Sequence, residues 1–271
     1  MILSCFAAAF FVLDTESREG MIEITSAENQ VVKHLRKLSG GAFRKKCGET
    51  VLEGERLVND VVAYGGEVDI VLLREDYAGR VPACRKLYKA PARIFDALSE
   101  TKTPQGILAT AKIKMQNAKD LFRGGLVVLC DRVQDPGNLG TIFRTAHAVG
   151  ADGVVLMRGC AEPFAPKTVR ASMGSAFAVP IAEAEDFIKP AGYTAFCGVL
   201  SDKAKPLYAH AFPRKTLLVL GNEANGAAIE IVEASDAHIL IPMPGGAESL
   251  NVAAAGAVMM YEYIRQVHNV Y

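Results

Sequence analysis

Tryptophan is absent from the chain and aromatic residues make up only 7% of it. A binding surface built from stacked rings is therefore not expected. Net charge is also absent. Thirty Lys+Arg balance thirty Asp+Glu, so the chain as a whole is not a basic nucleic-acid binder. The six cysteines (Cys5, Cys47, Cys84, Cys130, Cys160, Cys197) contain no CxxC pair. That removes zinc ribbons and thioredoxin-like motifs, and such scattered thiols suit a reducing cytoplasm better than a disulfide framework. The five histidines are equally dispersed, so no metal site is expected. No apolar run is long enough to span a bilayer; Phe6 to Leu13 is the longest near the start. No Lys or Arg precedes Phe6, which weakens any reading of that run as an export signal. Residues 1–20 read instead as an upstream extension, with Met21 opening the globular pattern.

What is present is a packed α/β pattern: half of the 271 residues are hydrophobic. Residues 27–38 read as an amphipathic helix capped by Ser26. A glycine pair and a basic cluster follow, then a strand at 50–52, a helix over about 53–64 and a buried strand at 68–73. Strands near 93–95 and 106–111 complete a compact first domain over 21–115. The polar stretch 116–125 reads as a linker. Beyond it, continuous apolar runs at 126–130, 153–157, 193–200, 216–220 and 238–241 alternate with helical stretches. That rhythm indicates a parallel sheet covered on both faces, in a second domain over 126–271.

The zero charge hides a division. Residues 21–115 hold sixteen basic and twelve acidic residues; 1–20 hold one and three; 116–271 hold thirteen and fifteen. Lys33, Arg36, Lys37, Arg44, Lys45 and Lys46 fall within fourteen residues that contain no acid. Such a cluster attracts phosphate backbones without reading sequence, and a merely solvated helix face is the competing reading.

Three segments carry the candidate chemistry, each directly after an apolar strand, where open α/β sheets bind ligands. The first runs from Asp131 to Thr145 and includes Asp135-Pro136-Gly137-Asn138, with Asn138 as a candidate cap and Arg144 off the buried stripe of the helix. A guanidinium there is suited to phosphate. The second is Leu220-Gly221-Asn222-Glu223-Ala224-Asn225-Gly226, with Gly226 read as opening a helix. It is neither a GxGxxG fingerprint nor a Walker loop, which weighs against a dinucleotide enzyme. The third is Ile241-Pro242-Met243 followed by Ser249-Leu250-Asn251-Val252, with Ser249 as a candidate cap and a run of small residues, Ala253 to Ala257, behind it.

Together these segments resemble the motifs of SpoU-type (SPOUT superfamily, TrmH-like) RNA 2′-O-ribose methyltransferases: Asn138-x-Gly140-x-x-x-Arg144, Gly221-Asn222-Glu223-x-x-Gly226, and Ile241-Pro242-Met243 with Ser249-Leu250-Asn251. Val169 to Gly174 looks like a further family segment, and Val51 to Val58 resembles part of the small substrate-binding domain that precedes such enzymes. Ala224 departs from the glycine many relatives carry.

The resemblance implies a C-terminal parallel-sheet domain with a deep trefoil knot, preceded by a small α/β RNA-binding domain. It implies S-adenosyl-L-methionine as methyl donor, held around Leu220, Gly221, Glu223, Gly226, Ile241, Met243, Ser249 and Leu250. It implies catalytic roles for Arg144, Glu223, Ser249, Asn251 and Asn138, a homodimer, and ribosomal RNA as substrate. The alternatives are a tRNA substrate or a non-catalytic RNA-binding protein. An arginine is ordinarily protonated, so positioning of phosphate and oxyanion is the expected role of Arg144, with base action the bolder variant.

Overall fold

The computed structural model describes Val12–Leu13, residues 20–201 and residues 204–268. The reading of residues 1–20 as an extension falls almost entirely outside them. The chain divides into two compact units, Met1–Ile113 with Phe164–Pro166, and Lys114–Pro163 with Lys167–Tyr271.

In the first unit the elements are β1 (Val12–Leu13), β2 (Ile22–Glu23), α1 (Gln30–Lys37), α2 (Gly41–Cys47), β3 (Glu49–Glu53), α3 (Glu55–Ala63), β4 (Val68–Arg74), β5 (Val81–Pro82), β6 (Lys86–Ala90), α4 (Ala92–Asp96) and β7 (Ile107–Lys112). Five of the strands form one sheet, ordered β2-β6-β4-β7-β3, in which β7 runs antiparallel to both its neighbours. Ile24, Val32, Leu35, Leu72, Tyr88, Phe95 and Leu108 close the core between sheet and helices.

Two readings are corrected here, and one stretch left without an element receives one. Asn29, not Ser26, caps α1: its side chain accepts from Val31 N at 2.8 Å, while Ser26 serves Glu28 N. Residues 93–95 are helical, because Pro91 fixes an extended entry from which α4 starts; the strand lies just before, at Lys86–Ala90. The basic stretch after Gly40 is helix α2, ended by Gly48 in the left-handed region at φ 64°.

Glu49 sits buried where β3 meets α1 and β7, accepting from Lys112 and bonded to His34 Nε2 at 2.9 Å. Burial alone pushes its carboxyl up. The Lys112 and His34 hydrogen bonds and charges outweigh burial and leave it below the ordinary 4.5. A lowered carboxylate stabilises the fold above its unfolded-state value and loses that contribution as pH falls through the folded value. The midpoint of urea unfolding should therefore drop on acidification below about pH 4.5, and Glu49→Gln should flatten that acid limb. An unchanged limb in the variant would remove Glu49 from the account.

The second unit begins with a 3₁₀ turn, Ala118–Leu121, inside the stretch read as linker; Ala118 and Leu121 are buried. Then come β8 (Leu126–Cys130), α5 (Pro136–Ala148), β9 (Gly153–Met157), α6 (Pro166–Ala171), β10 (Ile181–Ala184), β11 (Thr194–Gly198), β12 (Lys205–Pro206), β13 (Thr216–Leu220), α7 (Ile229–Ala234), β14 (Ala237–Leu240) and α8 (Val252–Val267). The seven strands form one sheet, ordered β10-β9-β8-β13-β11-β14-β12, parallel at every described pairing. β8, β9 and β13 are buried at every position, as expected for parallel strands covered on both faces.

The chain runs outward from β8 through β9 to β10, then crosses to build the other half. The order therefore reverses between β8 and β13. That is the switch point at whose carboxyl edge ligands bind in open sheets.

Candidate functional site

The loops after β8, β13 and β14 meet at the carboxyl edge of the seven-stranded sheet. Asp135 caps α5, its Oδ1 accepting from Asn138 N at 2.8 Å, and Pro136 takes the first helical position, where a missing N–H costs nothing. Asn138 is therefore not the cap; it lies in the first turn with its amide free to reach outward. Asn251, not Ser249, caps α8: its Oδ1 accepts from Ala253 N at 2.9 Å and Ala254 N at 3.2 Å.

Those two caps fix the direction of a polar chain. With Asn251 Oδ1 committed to backbone donors, its Nδ2 donates to Asn138 Oδ1 at 2.8 Å. Asn138 Nδ2 is then turned toward Glu223 and donates to Oε1 at 2.9 Å. One residue from each of the three loops is joined in a single sequence of donors that ends on a carboxylate. Both amide orientations follow from the network.

The loop after β13 is closed on itself. Asn222 and Gly226 exchange backbone hydrogen bonds, and Asn222 Oδ1 accepts from Ala224 N and Asn225 N. Gly226 takes φ +67°, and the helix begins only at Ile229, so Gly226 ends a turn and does not open α7. Gly221 is needed for space: a Cβ there would lie 2.1 Å from Ala227 N and 2.3 Å from Gly226 C. Ala224 is not among the described non-glycine residues with positive φ, so this backbone does not demand the glycine that Ala224 replaces.

A cavity of about 410 Å³ opens beside these loops. Leu220, Gly221, Glu223, Gly226, Ile241, Met243, Ser249 and Leu250 all stand on its wall. Sequence reasoning missed its third side, Gly198 to Leu200 at the end of β11, and its floor residue Met259 on α8. The apolar run at 193–200 ends without a motif of its own; only the rule that ligands gather at strand carboxyl ends points to it.

Arg144 is set apart. It lies in the third turn of α5, deeper into the helix than a start at Asn138 implies, is exposed, does not line the cavity, and makes no hydrogen bond or ion pair among the described residues. Glu223 and Asn251 are joined through Asn138 and not to Arg144. The small residues of α8 divide: Ala253 and Gly256 are buried, and a Cβ on Gly256 would lie 2.7 Å from Leu220 Cδ1, while Ala254 faces outward with Tyr261.

In the first unit, Arg36, Lys37, Lys45 and Lys46 are exposed, and Lys33 pairs with Glu28 at 2.7 Å. Arg44 is a correction. It is buried, and its Nη1 donates to Leu38 O and Ser39 O at 2.6 Å. It ties α2 to the end of α1 and presents no charge to a ligand.

Residues 125–261 match the model of the SpoU rRNA methylase family, and residues 29–109 match the MRM3-like substrate-binding domain. Among curated proteins, the chain is 36% identical over 250 residues to the 23S rRNA (guanosine(2553)-2′-O)-methyltransferase RlmP of Bacillus subtilis, covering 89% of this chain and 98% of that one. It is 28% identical to the mitochondrial rRNA methyltransferase 3 of Homo sapiens, over 83% of this chain and 69% of that one. Among solved structures, an AdoMet-bound rRNA methyltransferase from Sinorhizobium meliloti superposes with a TM-score of 0.80 at 30% identity, covering 92% of this chain and 99% of that one. The SpoU methyltransferase AviRb from Streptomyces viridochromogenes, in complex with AdoMet, gives 0.77 at 26% identity over 88% and 98%.

Proposed function

The chain belongs to the SpoU rRNA methylase family, and on that premise we propose that it transfers a methyl group from S-adenosylmethionine to a ribose 2′-hydroxyl of ribosomal RNA. The observation that carries this reading is the convergence of the three loops on one cavity through Asn251, Asn138 and Glu223.

The cavity suits the cofactor. Its volume falls in the range of about 300–1,000 Å³ usual for small-molecule sites. Leu220, Ile241, Val252 and Met259 give an apolar surface for a purine, while Glu223, Asn225, Ser249 and the backbone of the 221–226 turn supply polar groups for a ribose and an amino acid. When bound, S-adenosylmethionine supplies an electrophilic methyl on sulfur. The protein's own work is then to hold the ribose oxygen in line and to balance the charge that develops as its proton leaves. Arg144 is the residue for the second task, as a fixed positive charge against phosphate or oxyanion. Asn138 and Asn251 keep Glu223 in place on the cofactor side.

Arg144 does not line the cavity of its own chain, and a second copy would complete the site. The outward face of α5 and α8, with Thr141, Arg144, Ala254 and Tyr261 exposed, supports a homodimer. The late insertion of β13 between β8 and β11 supports threading of the C-terminal segment as a deep trefoil knot. Residues 21–115 act as the RNA-binding module, through Lys33, Arg36, Lys37, Lys45 and Lys46. Among the described residues no helix is long and apolar enough to cross a membrane. The unpaired cysteines support the cytoplasm as the place of action.

The test is transfer of labelled methyl from S-adenosylmethionine to deproteinised ribosomal RNA, with transfer RNA in parallel. The label is expected in a 2′-O-methyl nucleoside of ribosomal RNA, and RNA affinity should fall steeply with salt. Label in transfer RNA alone selects the other substrate; RNA binding without transfer selects the non-catalytic reading. Light scattering should give about twice the 29.0 kDa chain mass.

A further inference from the structure

We propose that Asp131 and Arg132 form a latch that holds the 221–228 loop in the shape that receives the cofactor; this rests on reading that loop as the cofactor-binding element. Arg132 lies two residues past the end of β8 and has φ 55°. Among the described residues only Met173 shares a positive φ without being glycine. Left-handed backbone is disfavoured for a residue that carries a Cβ. Such a conformation persists only where its surroundings hold it, and it is found at sites where the strain serves a purpose.

Two of the groups that Arg132 bonds, Asn222 and Gly226, belong to the loop after β13. Its carbonyl accepts from Asn222 Nδ2 at 2.8 Å. Its Nη2 donates to Gly226 O at 3.3 Å. Its Nε and Nη2 lie on the Asp131 carboxylate at 2.9 to 3.2 Å. Asp131 is 3% exposed and accepts from Ala228 N through Oδ2 at 2.7 Å. Two consecutive residues thus grip the loop at 222, 226 and 228.

Room for this fold is left by Gly159, where a Cβ would come within 3.0 Å of Arg132 Cγ. Neither Asp131 nor Arg132 lines the cavity, so both are positioning residues that act through Asn222 and Gly226. Asn138 holds the same loop from the other side, at Glu223.

The experiment compares Arg132→Ala and Arg132→Gly in the full chain. Glycine releases the backbone strain, and both variants lose the guanidinium. Calorimetric Kd and KM for S-adenosylmethionine are expected to rise about ten-fold or more in both, the size of one lost charge-assisted hydrogen bond, with KM for RNA and kcat at saturating cofactor within about two-fold. The unfolding midpoint of Arg132→Gly should lie at or above that of Arg132→Ala. A role in stability alone would make affinity follow the midpoint, so recovery of native affinity in the glycine variant overturns the latch. So does native affinity in both variants. If the unaltered protein itself binds no S-adenosylmethionine, the cofactor reading fails and not the latch.

Discussion

Replacing Arg144 with alanine is expected to lower kcat for methyl transfer by about 100-fold or more, the scale of losing one charge-stabilising group in a reaction centre. S-adenosylmethionine affinity should stay within about two-fold, because an interaction made only in the transition state leaves ground-state binding alone. The structure makes this a clean test. Arg144 is exposed on α5, its side chain has no hydrogen-bond or ion-pair partner among the described residues and it does not line the cavity, so truncating it breaks no side-chain hydrogen bond. The unfolding midpoint should therefore be native. Lysine at 144 keeps the charge but loses the planar fork, and should recover only part of the rate. Native turnover in the alanine variant would refute the role given to Arg144. Mixing inactive Arg144→Ala chains with chains disabled at the cofactor loop should restore activity if the two halves of a site come from different copies.

Gly221→Ala is expected to have the second-largest effect, and on the opposite quantity. The added methyl would meet Ala227 N and Gly226 C, which are backbone atoms of the turn and cannot swing aside as a side-chain tip does. The turn must open, which separates Asn222 from Gly226 and shifts Glu223 and its neighbours. Overpacking of this kind costs about 1–3 kcal/mol. Cofactor KM should rise about ten-fold or more, and calorimetry should show a lowered unfolding temperature. Gly226→Ala is the control: nothing lies within 4 Å of its Cβ position, so only the φ of +67° resists it and a smaller loss is expected. Equal affinities in Gly221→Ala and the unaltered protein would show that the turn is not a cofactor element.

The large architecture was legible because parallel strands covered on both faces leave unbroken apolar runs, and five of the seven strands of the main sheet announce themselves so. β12 does not, since two residues, Lys205–Pro206, carry no pattern. Caps were misassigned three times for one physical reason. Ser26 and Asn29, Asp135 and Asn138, and Ser249 and Asn251 each offer two oxygens within three residues, and local preference ranks them nearly alike. Pro136 decides the second case, since proline fits the first turn and no later. A bond to Asn138, 113 positions away in sequence, accompanies the choice in the third. Burial of Arg44 beside two exposed lysines was equally unreadable, because composition alone does not separate a guanidinium facing carbonyls from one facing water. Arg132 lies beyond sequence reasoning altogether: its partners Asn222 and Gly226 are 90 and 94 residues downstream.

The strand order has a consequence for how the second unit comes into being. Within the sheet, β11 touches only β13 and β14, and β12 touches only β14, all of which are made later. A chain emerging from synthesis thus carries β8 with one bare edge and β11 with two until Thr216–Leu220 appears. Such edges invite pairing with other chains. Folding therefore waits on the last fifth of the polypeptide and should be slow, since closing distant pairings precedes any reward from them. A chain truncated before β13 is expected to aggregate, and a premature stop between β11 and β13 would leave a sticky half-sheet rather than a smaller working enzyme.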